Sequence, residues 1–180
     1  MDIFAHGLWA VALYKAVNLY QKTKFKLLWA AFWGVFPDVF AFSIPMGLHA
    51  YNLLMKGASM YEHPLSELTH IMYSMSHSAI IFFLFFLTVC LICKHYHKPK
   101  PWILGGWLLH TLCDVPTHSY RFFPTPVFWP LSEWKFNGIS WGTPWFMMVN
   151  YTAIVTVYLL LARKANEKNR KTKKNNISKK

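Results

Sequence analysis

Residues 79–93 read AIIFFLFFLTVCLIC, and this stretch decides the class of the protein. Together with the flanking residues from about 71 onward, the apolar run is long enough to cross a bilayer, which takes about 20 residues. The composition agrees, because 54% of the 180 residues are hydrophobic and only 14% are charged. A soluble domain usually carries about 25% charged residues. We therefore predict an integral membrane protein.

Four further apolar runs flank this one along the chain. With the run at about 71–93 they predict an all-α, polytopic membrane protein with about five transmembrane helices. The membrane domain is expected to span residues 1–162 and to be followed by a basic, disordered tail of residues 163–180. The four runs are residues 4–20, about 27–46, about 101–115, and 144–162.

Lysine and arginine are concentrated in three segments that fall on one side if five helices alternate. The turns 15–26 and 94–100 carry four and three basic residues, and the tail carries nine beside the single acid Glu167. Positively charged short loops stay in the cytoplasm, so we expect the N-terminus outside and the C-terminus inside. The tail would be drawn to anionic lipid. It lacks interleaved aromatic residues for base stacking, so nucleic acid is not an expected partner.

The outer segment 116–143 is rich in aromatic and proline residues. The stretch 119–145, SYRFFPTPVFWPLSEWKFNGISWGTPW, holds nine aromatics and four prolines and cannot form one regular helix. It fits an interfacial aromatic belt. It also fits a lid or re-entrant loop over an outward-facing pocket.

Ionisable residues inside the predicted helices point to a functional site. A lone aspartate at the bilayer centre costs roughly 2.5–3.5 kcal/mol, so such residues normally face partners in the bundle interior. With a helical rise of 1.5 Å per residue, the polar groups of four helices lie about 3–12 Å below the outer end of their helices. They therefore converge in the outer half of the membrane. These residues are His6, Asp38, His77, His110 and Asp114.

These side chains suit a divalent metal ion. His110 and Asp114 are four residues apart on one helix face, and a dication would balance the two aspartates. Imidazole with carboxylate fits zinc best, with manganese or iron as alternatives. Five candidates exceed the three protein ligands and one water of a catalytic zinc ion. Either some of them support the ligands, or two metals share a carboxylate.

Two residues close to the fourth run complete the predicted site. His118, just beyond that run, is a candidate general base, as is the carboxylate of Asp38. Arg121 is the only arginine outside the tail. It would hold an anionic group of the substrate, or it would snorkel at the interface.

Three other functions remain open from the residues alone. Buried Asp and His chains also carry protons or ions in transporters and proton relays. A b-type haem could use His77 and His110 as axial ligands. A structural scaffold is the last alternative, and it leaves the buried aspartates unexplained.

An ordered series of motifs resembles a known family. The motifs are MDIFAHGLWA (1–10), GVFPDVF (34–40), Ser76-His77-Ser78, GGWLLHTLCDVPTHS (105–119) and FFPTPVFWPLS (122–132). They resemble the YdjM-like inner-membrane metal-dependent hydrolases over nearly the whole chain up to about residue 162. The resemblance implies a prokaryotic inner-membrane enzyme. It also implies that the five residues proposed to bind metal match the polar signature of the family.

One departure accompanies the resemblance. Many members carry a His-Arg dipeptide where Met72-Tyr73 stand here, so any role of that dipeptide does not transfer. Helical zinc phospholipases C and related nucleases also use a His-x-x-x-Asp helix among scattered ligands, which suggests phosphodiester chemistry by analogy. We therefore expect a hydrolase in which metal-activated water attacks a lipid or another anionic substrate at the outer face.

Overall fold

The computed structural model describes residues 1–21, 24–56 and 65–177. These residues form six α-helices and one 3-10 helix, and none of them belongs to a β-strand. The all-helical class predicted from the sequence is therefore confirmed. The helices are α1 (Ile3–Tyr20), α2 (Leu27–Lys56), α3 (Leu65–Ser76), α4 (Ala79–His95), α5 (Gly105–Thr117) and α6 (Pro144–Ile177), and the 3-10 helix, Trp102–Leu104, leads into α5.

Helices α1, α2 and α5 approach one another closely at two glycines. A Cβ on Gly34 would lie 2.6 Å from the Cβ of Ala10 and 2.9 Å from the carbonyl oxygen of His6. A Cβ on Gly106 would lie 3.1 Å from the backbone nitrogen of Gly34. Small residues allow this close approach between membrane helices. The contact brings the polar residues of α1 and α5 up to Asp38 on α2.

Helix α2 is longer than the sequence indicates. The second apolar run was expected to end near residue 46, where Pro45 could stop a helix. In the structure α2 continues through Pro37 and Pro45 to Lys56. Both prolines are buried, and helices in membranes tolerate proline where neighbouring groups satisfy the freed carbonyls.

The run that decides the class is not one continuous helix. Helices α3 and α4 meet at a bend of 57°, and His77 and Ser78 occupy the break between them. The Ser78 side chain caps α4 by accepting hydrogen bonds from the backbone nitrogens of Ile80 (3.1 Å) and Ile81 (3.3 Å). The predicted single span at about 71–93 is therefore two helices, with a candidate ligand in the break.

The structure does not support five spans. By length and composition, two described helical stretches can cross a membrane, Leu27–Met55 and Pro144–Asn176, and the bent pair α3 and α4 would make a third. Helix α5 has 13 residues, so it is about 20 Å long and falls short of the ~30 Å hydrocarbon core. The expected fourth span is therefore not among the helices that are long enough to cross a membrane. The orientation of the termini stays a prediction.

The outer segment and the tail have different conformations. As predicted, the described residues 118–143 contain no regular helix, and the residues buried among them are His118, Ser119, Thr125, Pro126 and Val127. The tail was expected to be disordered, but α6 continues from the apolar run through it to Ile177. This part of the tail is rich in lysine and arginine, which favour helix. Its status as a separate domain stays a prediction.

Candidate metal centre

Four of the predicted ligands meet in one cluster. They come from α2, the break between α3 and α4, and two adjacent turns of α5. Each offers one oxygen or nitrogen atom, and these atoms all lie within 4.8 Å of one another. Only the aspartate of α2 is partly exposed. The four residues are Asp38, His77, His110 and Asp114, called the four-ligand cluster below.

The distances within the cluster are close to those between the ligand atoms of one metal ion. His77 Nε2 lies 3.5 Å from Asp38 Oδ1 and 3.3 Å from Asp114 Oδ2. His110 Nε2 lies 3.6 Å and 3.1 Å from the same two oxygens. The two Nε2 atoms are 3.0 Å apart. Ligand atoms 2.0–2.2 Å from a tetrahedral metal ion are separated by about 3.3–3.6 Å. Three of the five distances lie in this range and the two others are shorter, so the four residues form a group that could hold a metal ion.

Backbone carbonyls orient both histidine rings. His110 Nδ1 lies 2.7 Å from the carbonyl oxygen of Gly34. His77 Nδ1 lies 3.1 Å from the carbonyl oxygen of Tyr73 and 2.9 Å from Ser76 Oγ. Because a carbonyl oxygen only accepts, we assign the ring proton to Nδ1 in both histidines. This is the usual support of a metal-binding histidine, and it leaves a lone pair on each Nε2.

With both ring protons on Nδ1, the resulting arrangement favours a cation between the ligand atoms. Two Nε2 lone pairs face each other at 3.0 Å, next to two carboxylates. Asp114 Oδ2 is buried and has no hydrogen-bond partner. Lone pairs that converge in a buried space repel one another unless a positive charge lies between them. Either a metal ion or a shared proton meets this requirement.

His6 reaches the cluster through the other oxygen of Asp114. Its Nε2 lies 2.8 Å from Asp114 Oδ1, and its ring stacks on that of His110 with a centroid distance of 3.5 Å. His6 does not belong to the four-ligand cluster, although the sequence predicts it as a ligand with the others. The amino nitrogen of Met1 also contacts Asp114 Oδ1.

His118 lies one turn beyond Asp114 and is held in place by the outer segment. Its Nε2 is 3.4 Å from Asp114 Oδ1, and its Nδ1 is 2.8 Å from the carbonyl oxygen of Phe123. Phe123 adopts a positive φ of 41°, which is unfavourable for a bulky residue and is kept only where the surroundings enforce it.

Tyr73 is a further neighbour of the cluster that the sequence did not predict. Its hydroxyl donates to the carbonyl oxygen of Phe123 (2.9 Å) and lies 3.2 Å from His118 Nδ1. Its ring stacks on that of His77 with a centroid distance of 3.8 Å. The signal was present, since Tyr73 precedes His77 by one helical turn.

A cavity of about 450 Å³ adjoins the cluster, and Asp38 and His118 both contribute to its lining. The rest of the lining is mainly apolar and comes from α1, α2 and the outer segment, including Phe4, Val39, Phe42, Phe122 and Trp141. Arg121 is exposed and does not belong to this lining. Its role in substrate binding stays a prediction.

Comparison with known proteins identifies the family. The family model described as YdjM inner membrane protein matches residues 1–174. The chain belongs to this family. No curated protein and no solved structure matches the chain.

Membership of the YdjM family confirms the resemblance in the sequence and the membrane location. The match includes every residue of the four-ligand cluster as well as His6 and His118. The description of the family names no reaction. The chemistry must therefore be inferred from the cluster and its cavity.

Proposed function

We propose that this protein is a membrane-bound, metal-dependent hydrolase whose metal ion is held by the four-ligand cluster. One observation carries the proposal. The Nε2 atoms of His77 and His110 lie 3.0 Å apart, and carbonyl partners on both Nδ1 atoms leave these nitrogens with lone pairs. Imidazole and carboxylate ligands favour zinc.

Different residues have different roles in the proposed hydrolysis. A divalent metal bound there would polarise the scissile bond and activate water. The carbonyl groups of Gly34 and Tyr73 orient the two imidazoles, while burial keeps bulk water from the ligands. Asp38 and His118 line the cavity, so either can accept the proton that the attacking water gives up.

The lining of the cavity suggests the class of substrate. An apolar wall that ends at a group of carboxylates and imidazoles suits a molecule with an apolar chain and a polar reactive group. The proposed substrate is therefore a lipid or another anionic molecule, with a phosphoester as the favoured reactive group, reached from the outer face. Arg121 would attract its anionic group.

The distance between the Nε2 atoms of His77 and His110 bears on the two alternative functions, haem binding and a proton relay. Two trans ligands of one haem iron, each about 2 Å from the metal, would have nitrogens about 4 Å apart. The 3.0 Å separation of the Nε2 atoms is too short for haem. A proton relay remains the second candidate, because a shared proton also meets the need of the cluster for a cation.

Metal content and hydrolysis test the proposal together. Full-length protein purified in mild detergent should contain at least one zinc ion per chain by elemental analysis. It should hydrolyse bis(p-nitrophenyl) phosphate or a phospholipid in mixed micelles. Chelation should abolish this activity and added zinc should restore it.

Variants connect both measurements to the cluster. His77→Ala should lose the metal and the activity. His95→Ala, at the exposed end of α4, should keep both. A metal-free wild-type protein would refute the metal centre and favour the proton relay, whereas a metal-loaded protein that releases no product would refute the hydrolase.

A further inference from the structure

Asp114 faces two separate groups with its two oxygens. Oδ2 lies toward His77 and His110, at 3.3 Å and 3.1 Å from their Nε2 atoms. Oδ1 lies toward the Nε2 atoms of His6, at 2.8 Å, and His118, at 3.4 Å. The carboxylate is fully buried, so water does not separate it from either group. The four-ligand cluster accounts for only one of these two sides.

The unused side has the features of a ligand set. The Nδ1 of His118 faces the carbonyl oxygen of Phe123 at 2.8 Å, so its proton is assigned there and Nε2 carries a lone pair. This is the same support that the carbonyls give to His77 and His110. The Nε2 atoms of His6 and His118 are both buried and have no hydrogen-bond partner. Both face Asp114 Oδ1. The Nε2 of His118 meets it as a second acceptor, and His6, whose Nδ1 also has no partner, can present a lone pair at Nε2 by carrying its proton on Nδ1.

We propose that a second divalent cation binds at Asp114 Oδ1 with His6 and His118 as ligands, so that Asp114 bridges two metal ions. This inference rests on the proposed function, because the first ion is the one held by the four-ligand cluster. Imidazole nitrogens with a carboxylate oxygen suit zinc or manganese. A carboxylate that bridges two ions about 3.5–4 Å apart is common in two-metal hydrolases.

A second cation changes the charge and the roles in the site. Two divalent ions carry four positive charges, and Asp38 and Asp114 supply two negative ones. The remaining positive charge favours an anionic substrate, in agreement with a phosphoester. His118 then acts as a metal ligand, and the oxygen of Asp38 that does not bind the first ion is left as the proton acceptor beside the cavity.

The amino nitrogen of Met1 supplies the competing explanation. It contacts Asp114 Oδ1 and lies 3.1 Å from Thr117 Oγ1. As an ammonium group it would neutralise Oδ1 without a second metal. In that case the chain would bind one ion, and removal of His6 or His118 would leave that ion in place.

Metal counting distinguishes the two explanations. The full-length protein is stripped with a chelator, titrated with Mn²⁺ alone, desalted and analysed for bound manganese. The wild type should bind two ions per chain, and its electron paramagnetic resonance spectrum should show an exchange-coupled pair. His6→Ala and His118→Ala should each halve the bound metal to one ion and abolish the coupling. His95→Ala should keep two coupled ions.

The outcomes also separate this inference from the proposed function. One ion in the wild type, or two ions without coupling, overturns the bridged site and leaves the first metal centre intact. Full retention of two ions in His118→Ala overturns the ligand role and returns this residue to proton transfer, because a general base can be removed without loss of metal. No bound ion in the wild type refutes both proposals. The wild-type spectrum needs no variant, so a folding defect in His6→Ala does not affect it.

Discussion

Replacing Asp114 by asparagine removes one negative charge from the centre of the cluster while keeping the shape of the side chain. The carboxylate is fully buried, and its two oxygens face four histidine Nε2 atoms at 2.8–3.4 Å. Solvent therefore does not compensate for the loss of this negative charge. Breaking a buried charge pair by removing one partner costs about 3–5 kcal/mol. We expect metal affinity to fall by about two to four orders of magnitude.

Thermal unfolding in detergent with and without zinc measures this loss. Zinc at 100 times its Kd stabilises the wild type by about 2.7 kcal/mol, which for a chain of this size raises Tm by about 5–11 °C. At the same zinc concentration Asp114→Asn should shift by less than about 2 °C. The shift of each protein is measured from its own Tm without zinc, because Asp114→Asn also loses the buried contact with the amino nitrogen of Met1.

Glu133→Gln is the matched control. Glu133 is also a carboxylate, but its side chain is 84% exposed and it pairs only weakly with Lys135, at 3.8 Å. This variant should keep the full zinc-dependent shift. A full shift in Asp114→Asn, or none in the wild type, would refute the assignment of Asp114 as a metal ligand.

Three further predictions test the packing, the unity of the site and the topology. Gly34→Ala should lower the unfolding free energy by about 1–3 kcal/mol in a thermal unfolding experiment. Gly47→Ala is the control, because no atom lies within 4 Å of its new Cβ, and it should not lower this free energy. Equal effects of the two substitutions would contradict the close approach of α1 and α2. The double variant His110→Ala with Asp114→Ala should lose little more bound metal than either single variant, since ligands of one site act as a unit; additive losses in a metal titration would argue against a shared ion. A reporter fused after Lys180 should be active only in the cytoplasm, and activity in the periplasm would reverse the orientation.

The sequence predicted which polar residues lie close together better than it predicted the helices that carry them. Helical rise and residue spacing placed His6, Asp38, His77, His110 and Asp114 at similar depth. In the structure the ligand atoms of the last four lie within 4.8 Å of one another and His6 contacts Asp114, while their role as metal ligands stays a prediction. This worked because a buried ionisable residue in an apolar helix is costly and needs partners. The spacing of four residues on α5 also fixes a common face whatever the rest of the fold does.

The features that the sequence did not predict depend on the path of the backbone, which residue types alone do not reveal. The carbonyl groups of Gly34 and Phe123 orient two histidines, yet any residue has a carbonyl. Hydropathy measures composition and not continuity, so it could not reveal the bend at His77 or the shortness of α5. The continuation of α2 beyond Pro45 depends on packing that tolerates a proline inside a membrane helix.

The outer segment hydrogen-bonds to the break between α3 and α4. Backbone groups at a broken helix are costly in hydrocarbon unless they find partners. Here Ala79 donates its backbone N–H to the carbonyl oxygen of Val127 (2.9 Å), and Ser78 Oγ donates to the carbonyl oxygen of Trp129 (2.5 Å). The outer segment therefore supplies hydrogen-bond acceptors to the break between α3 and α4. Because His77 lies in the break, loss of the contacts from Val127 and Trp129 would free the backbone that positions this proposed ligand, although neither residue belongs to the four-ligand cluster.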